Sequence, residues 1–239
     1  MFVFRRDPDA TGVGVAFTSA ALDLGERQDP ASRHRAYRAL SDALGVPVAI
    51  AAQVHGADVL RVEAVPGGTG LVDLTAHRAD ALVTTLPGVA LAVRVADCVP
   101  ICVAATDGSA VAAVHAGRNG LLGGVVPAAV SALRELTDAD LTAWVGPHVC
   151  AACYEVPHAM AEDAADRLGV PVPMTRWGTE GIDLGAAARL QLEGAGVAVT
   201  EVAPCTLEHE DLHSHRRDAE RAGRMVGLVW IDPSARRRE

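Results

Sequence analysis

The sequence predicts an α+β domain in which mixed β-sheets are layered with helices. Three observations carry this. Short apolar runs are separated by tight turns such as Asp107-Gly108-Ser109, which signals hairpins. Other segments repeat their apolar residues at helical spacing. The two kinds of segment are interleaved without the regular alternation of a βαβ wind.

The elements follow in order. Residues 30–44 place Tyr37, Leu40 and Leu44 on one helical face, and Gly45 stops the helix. Residues 46–54 read as a buried strand ending at His55-Gly56, and 59–65 alternate as a strand. Residues 66–70 are a loop rich in turn formers. Strands follow at 80–85 and 89–95, separated by Pro87-Gly88. Two more, 100–105 and 110–115, flank the Asp107-Gly108-Ser109 turn. A helix over 121–136 follows a glycine-rich corner. Residues 141–145 read as a strand, 157–168 as a helix, 171–181 as a loop and 184–195 as a helix ended by Gly196. Strands at 197–202 and 225–231 complete the chain, with 236–239 as a frayed tail. There is no internal repeat and no long linker, so residues 1–239 are expected to form one domain.

Composition narrows the chemistry. Half of the 239 residues are hydrophobic but only 3% are aromatic, so the core must be built from Ala, Val and Leu. All 21 basic residues are arginine. Without lysine there is no P-loop lysine and no Schiff-base lysine. The net charge of −9 argues against nucleic acid or an anionic membrane surface as partner. It leaves room for a local arginine site that takes one anion. The first 24 residues lack the basic start and apolar run of a secretory signal. No apolar stretch reaches the roughly 18 residues of a bilayer span. Five cysteines make a poor disulfide framework, so a reduced, cytoplasmic setting is expected.

Three junctions share one grammar: Gln53-Val54-His55-Gly56, Ala96-Asp97-Cys98-Val99-Pro100 and Val114-His115-Ala116-Gly117. Each sets a metal-ligand type where a strand stops. With the turn at 107–109, opposed residues on its two strands sum to about 215. His115 then faces position 100, and Cys98 lies within a residue or two of it. Directly opposed Cβ atoms sit about 5 Å apart, which suits a shared metal. His55 joins the set by the recurring pattern alone. A thiolate and two imidazoles match the three-ligand pattern of a catalytic zinc site. Taken locally, the same residues also suit an ordinary hairpin core, with His55 closing a strand.

Other clusters are less specific. Cys150-Ala151-Ala152-Cys153 has the CxxC spacing but no second pair. The stretch Glu208-His209-Glu210-Asp211, with His213 and His215, reads as a polar loop. Arg216-Arg217-Asp218 is able to present a guanidinium to an oxyanion, or to form a surface ion pair.

Together the three junctions resemble the YfiH family, also called the multicopper polyphenol oxidoreductase or laccase-domain family. The resemblance spans about residues 12–231. It includes Ala79-Asp80-Ala81-Leu82-Val83-Thr84, Gly146-Pro147, Tyr154-Glu155-Val156, Asp183-Leu184, Cys205-Thr206, Ser214-His215-Arg216-Arg217-Asp218 and Gly223-Arg224. It implies a mixed α+β sandwich like that of cytotoxic necrotizing factor. It also implies one site of His55, Cys98 and His115, usually zinc-bound, with Arg216 among the catalytic residues. Gln53, Arg118, Asn119 and Arg217 would bind substrate. The implied activity is phosphorolysis of adenosine, inosine, guanosine or S-methyl-5'-thioadenosine, with adenosine deamination in some members. The partners would be a purine nucleoside and phosphate.

Departures from the family pattern are local. The usual His-Ala-Gly-Trp-Arg-Gly is His115-Ala116-Gly117-Arg118-Asn119-Gly120, and Phe-Ser-Tyr-Arg-Arg-Asp is His213-Ser214-His215-Arg216-Arg217-Asp218. The early Asn-Leu-Gly is Asp23-Leu24-Gly25. Three other functions compete. A copper phenol oxidase needs a dense set of His-x-His pairs, and His213-Ser214-His215 is the one present. A cysteine hydrolase would use Cys98 as nucleophile and His115 as base, and the resemblance allows a role in editing cell-wall precursors. A non-enzymatic partner in cell-wall or division assemblies is the last.

Overall fold

The computed structural model describes residues 1–65, 70–202 and 204–234. Two six-stranded mixed sheets pack face to face. The first holds β1 (Phe2–Arg6), β2 (Val13–Thr18), β3 (Val48–Ala52), β5 (Leu71–Arg78), β7 (Ala90–Val95) and β12 (Met225–Ile231), in the order β1-β2-β12-β7-β3-β5. The second holds β4 (Val59–Arg61), β6 (Ala81–Thr84), β8 (Val99–Ala105), β9 (Val111–Ala116), β10 (Leu141–Val145) and β11 (Val197–Glu201), in the order β11-β10-β8-β9-β6-β4. Helix α1 (Pro30–Leu44) covers the first sheet. Helices α3 (Val125–Arg134), α4 (His158–Leu168) and α5 (Leu184–Gly194) cover the second.

The layering follows from period-two alternation in strands buried on both faces. In β8, Val99, Ile101 and Val103 pack toward the helices, while Cys102 and Ala104 pack toward the other sheet. In β12, Val229 and Ile231 face the inter-sheet core, while Leu228 and Trp230 face α1 with Tyr37 and Leu40. Small side chains on the inner faces let the sheets approach, which is how a core so poor in aromatics closes.

The register of β8 and β9 pairs Pro100 with His115 and Val99 with Ala116, so the expected sum of 215 holds. Helix α1 starts and stops where predicted. Asp29 caps its first N–H groups, and Gly45 ends it at φ +76°. Elsewhere the structure corrects the reading. The Pro87-Gly88 turn does not join neighbouring strands. It carries the chain from β6 in the second sheet to β7 in the first. The helix expected over 121–136 is two helices, α2 (Arg118–Leu122) and α3, separated at Gly123-Gly124 with Gly124 at φ +81°. The strand expected over 59–65 is only β4, three residues long. Strands β1, β2 and β5 were not expected. The remaining helix is a single turn, α6 (His215–Asp218). The tail at 236–239 and most of the 66–70 loop lie outside the described residues.

Candidate active site

Three chain junctions converge where the two sheets meet. His55 follows β3 of the first sheet, Cys98 links β7 to β8, and His115 ends β9 of the second. One ligand atom from each lies within 4.8 Å of the others. The two imidazole rings stand edge to face, with centroids 4.8 Å apart. Gly117 keeps this space open. A Cβ there would sit 3.0 Å from Cys98 Sγ and 3.1 Å from His55 Cδ2.

The arrangement hangs on Asp80, a fully buried carboxylate at the start of β6. It accepts the backbone N–H groups of Val54, His55 and Gly56 at 3.1, 2.9 and 2.8 Å. These bonds hold His55 at φ +59°, a conformation that an L-residue adopts only when its surroundings impose it. The same carboxylate takes Nδ1 of His115 at 2.7 Å. With Nδ1–H donating to Asp80, Nε2 is the ring nitrogen of His115 left for a metal, which it ligates once its own proton is released.

Charge is organised around this pair. Burial alone would raise the Cys98 thiol. Hydrogen bonding and charge from His115, then His55, outweigh it and bring Cys98 down to about 6. Burial alone would lower His115, but Asp80 and then Cys98 raise it to about 9. Burial opposes ionisation of Asp80 too, yet His115 and the N–H groups of Gly56 and Val54 hold it below the usual carboxylate value. The site therefore favours a thiolate, the form that ligates a metal.

The triad opens into a cavity of about 690 Å³, large enough for a small metabolite. Gln53, His55, Cys98, His115, Arg118, Asn119 and Arg216 all line it. Gln53 is fixed by two bonds to the backbone of Arg94, both 2.8 Å. Arg216 lies over the Tyr154 ring at 4.4 Å, and its Nη1 donates to the Glu155 carbonyl at 2.6 Å. Its backbone N–H donates to Asp97 at 2.7 Å, and Thr206 Oγ1 donates to the other Asp97 oxygen at 2.6 Å. Arg217 stands apart. It is not among the lining residues, and its guanidinium donates to the carbonyls of Thr206, His209 and Leu212 and to Asp218.

A profile of the family described as multi-copper polyphenol oxidoreductase laccase matches residues 6–232. The chain belongs to this family. A Streptomyces coelicolor protein named purine nucleoside phosphorylase is 46% identical over 75% of this chain and 73% of its own length. A Corynebacterium glutamicum protein of the same name is 37% identical over 90% of this chain and 89% of its own. Among solved structures, a Neisseria meningitidis protein superimposes with a TM-score of 0.79 at 30% identity, covering 97% of this chain and 99% of that one.

The donor set fits one divalent metal ion better than a copper cluster. A thiolate and two imidazoles, with Nε2 of His115 oriented by a carboxylate and space left above Gly117, match an open three-ligand zinc site. A His₂Cys copper centre usually adds a weak axial methionine, and no methionine lines this cavity among the described residues. No histidine-rich cluster able to hold several coppers occurs among the described residues either.

The structure adds functional candidates that sequence reasoning passed over: Asp80, Arg94, Asp97 and Tyr154. Arg94 interrupts an apolar run, and a charge inside a strand pattern was the available signal. It is 5% exposed and lines the cavity. Its Nη2 binds the Ala51 carbonyl at 2.8 Å and Glu26 at 2.6 Å, while its Nη1 is buried with no partner. Asp97 signals itself at φ +88°.

Proposed function

We propose that this protein is a zinc-dependent purine nucleoside phosphorylase acting on adenosine, inosine, guanosine or S-methyl-5'-thioadenosine. The observation that carries the reading is the cavity beside the triad, whose wall is rich in guanidinium groups, with Arg94, Arg118 and Arg216 among the lining residues. Such a wall suits an anionic co-substrate, because guanidinium groups bind phosphate oxygens through charge-assisted hydrogen bonds. The relatives' names support the same activity. His55, Cys98 and His115 would hold the metal. When bound, it would act as a Lewis acid toward an oxygen of phosphate or ribose.

The chain's own residues do the rest. Arg94 and Arg216 bind phosphate, each held by contacts that restrict its motion. Preorganised cations in a secluded site stabilise charge without reorganisation. Gln53, Arg118 and Asn119 bind the nucleoside beside the triad. Arg217, tied to three carbonyls, acts by positioning the turn that carries Arg216. The positive charge developing at C1' is offset by phosphate held close to it, and proximity contributes several kcal/mol.

Deamination of adenosine is the weaker reading. It needs a carboxylate free to shuttle protons. Each carboxylate lining the cavity already has a partner: Asp23 takes N–H groups of Gly25 and Arg224, Asp97 the Thr206 hydroxyl and the Arg216 N–H, Glu26 pairs with Arg94, and Glu220 with Arg27.

The test is adenosine with zinc-loaded enzyme, phosphate present or omitted. Adenine and ribose 1-phosphate appearing only with phosphate support phosphorolysis. Inosine formed in both conditions would mean deamination, and no turnover of any purine nucleoside would return the cysteine hydrolase to the front. Arg94→Gln should raise the KM for phosphate roughly 10-fold or more, since a charge-assisted bond contributes about 1.5–3 kcal/mol. An unchanged phosphate KM would remove Arg94 from the anion site.

A further inference from the structure

A second group of ligand-type side chains lies outside the cavity lining. Cys150 and Cys153 bracket a 3-10 turn over Ala151–Cys153, closed by the Cys153 N–H donating to the Cys150 carbonyl at 2.9 Å. Two intervening residues on a tight turn let both thiols address one point, the spacing used by zinc knuckles. Cys205 comes alongside through a parallel bridge to His148, reinforced by the Thr206 N–H donating to the His148 carbonyl at 3.0 Å. The Cys150 N–H donates to Cys205 Sγ at 3.4 Å. Glu208 follows one turn later, its N–H donating to the Cys205 carbonyl at 3.2 Å.

One ligand atom from each of Cys150, Cys153, Cys205 and Glu208 lies within 4.8 Å of the other three. A tetrahedral site with Zn–S of about 2.3 Å requires donor separations of about 3.8 Å. The observed bound of 4.8 Å exceeds that separation by about 1 Å. The three thiols are free, with no disulfide among them. We infer that Cys150, Cys153, Cys205 and Glu208 form a structural zinc site separate from the His55–Cys98–His115 centre.

The chemistry of the donors selects the ion and the role. Three thiolates exclude hard cations such as calcium and magnesium. Four protein ligands leave no open position, which is the structural pattern of zinc. Binding exchanges three S–H bonds for three Zn–S bonds and releases the three protons to solvent. Four anionic donors around a divalent ion leave a net charge of −2. Arg176 compensates part of it. Its Nη2 donates to Cys153 Sγ at 2.7 Å and pairs with Glu208.

The position of this site gives it a task. Tyr154, directly after Cys153, lies under the Arg216 guanidinium. Thr206, directly after Cys205, donates to Asp97 and accepts from Arg217. A metal clamped between the two segments would therefore hold both supports of the arginine-bearing turn in register. The inference does not depend on which reaction the cavity performs.

Metal analysis of protein purified under reducing conditions, saturated with zinc and desalted, tests it. The wild type should retain about two zinc ions per chain. Cys153→Ser/Cys205→Ser should retain about one, and so should His55→Ala/His115→Ala. Because the cysteine variant is at risk of misfolding, a second measurement uses wild type alone. Iodoacetamide labelling, mapped by mass spectrometry, should fall at least 10-fold at Cys150, Cys153 and Cys205 when stripped protein is reloaded with zinc. A wild-type stoichiometry of one with unchanged labelling of these three cysteines would overturn the site. So would a Cys150–Cys153 disulfide in protein kept under reductant.

Discussion

At the scale of single residues, Asp80 decides more than any other side chain near the triad. Its carboxylate accepts four hydrogen bonds, three from the backbone around His55 and one from His115. One buried anion thus sets the backbone of one ligand and the tautomer of another. Asp80→Asn keeps the shape but turns an amide NH₂ toward N–H donors. It should cost about 2–4 kcal/mol in urea unfolding and weaken zinc binding roughly 10–100-fold in a competition titration. The pH dependence has a definite sign. Asp80 ionises below the usual carboxylate value when folded, so its contribution is complete above about pH 4 and is lost as pH falls through the lower folded value. The stability gap between wild type and Asp80→Asn should therefore narrow below about pH 4, and it should also narrow above about pH 6.5 as His115, which Asp80 raises to about 9, loses its proton. A gap that widens as pH falls below about 4 would contradict this role.

At the scale of elements, the β8–β9 hairpin places His115 opposite the strand that Cys98 precedes. Its turn is held at Gly108, with φ +74°, where a Cβ would sit 2.0 Å from the Thr11 carbonyl oxygen. Gly108→Ala should cost about 2–4 kcal/mol, combining left-handed strain of about 1–2 kcal/mol with a backbone clash. Gly178 also has φ +74° but nothing within 4 Å, so Gly178→Ala should show the strain alone. Equal losses in urea melts would show that the Thr11 contact does not matter. This hairpin was legible in the sequence because its turn and both strands are contiguous, so register reduces to arithmetic. The α1 helix was legible for the same reason, its cap and stop lying within one stretch. What escaped depends on distant partners. Pro87-Gly88 looks like any tight turn, and only the pairing of β6 with β9 and of β7 with β12 shows a crossing between sheets. β5 lies at a sheet edge with half of its residues exposed, so it lacks the apolar run that marks the central strands. His55 was placed by pattern alone, and the N–H bonds to Asp80 that position it connect residues with no local signal.

At the scale of the whole molecule, the proposed catalytic metal would join the two sheets. His55 leaves a strand of the first sheet, His115 belongs to the second, and Cys98 sits on the crossing from one to the other. An ion bound by all three would stabilise the folded state over any state in which the sheets separate, because the unfolded chain cannot present the three ligands together. Free zinc at about 100 times its dissociation constant should add about 2.7 kcal/mol. Thermal melts of stripped wild type titrated with zinc should show a rising Tm. The His55→Ala/His115→Ala variant should keep only the part of that rise due to the cysteine cluster, and Cys153→Ser/Cys205→Ser only the part due to the triad. The Thr206–Asp97 bond links the segments that carry the two sites, so the difference between the wild-type rise and the sum of the two partial rises, converted to free energy, measures their coupling. Hydrogen exchange would locate the effect. Zinc at the triad should slow exchange at residues 53–56, 96–99 and 114–117 together, since releasing any one segment releases the ion. Protection confined to one of these segments, or a zinc-dependent Tm rise undiminished in His55→Ala/His115→Ala, would mean that the metal does not bridge the sheets.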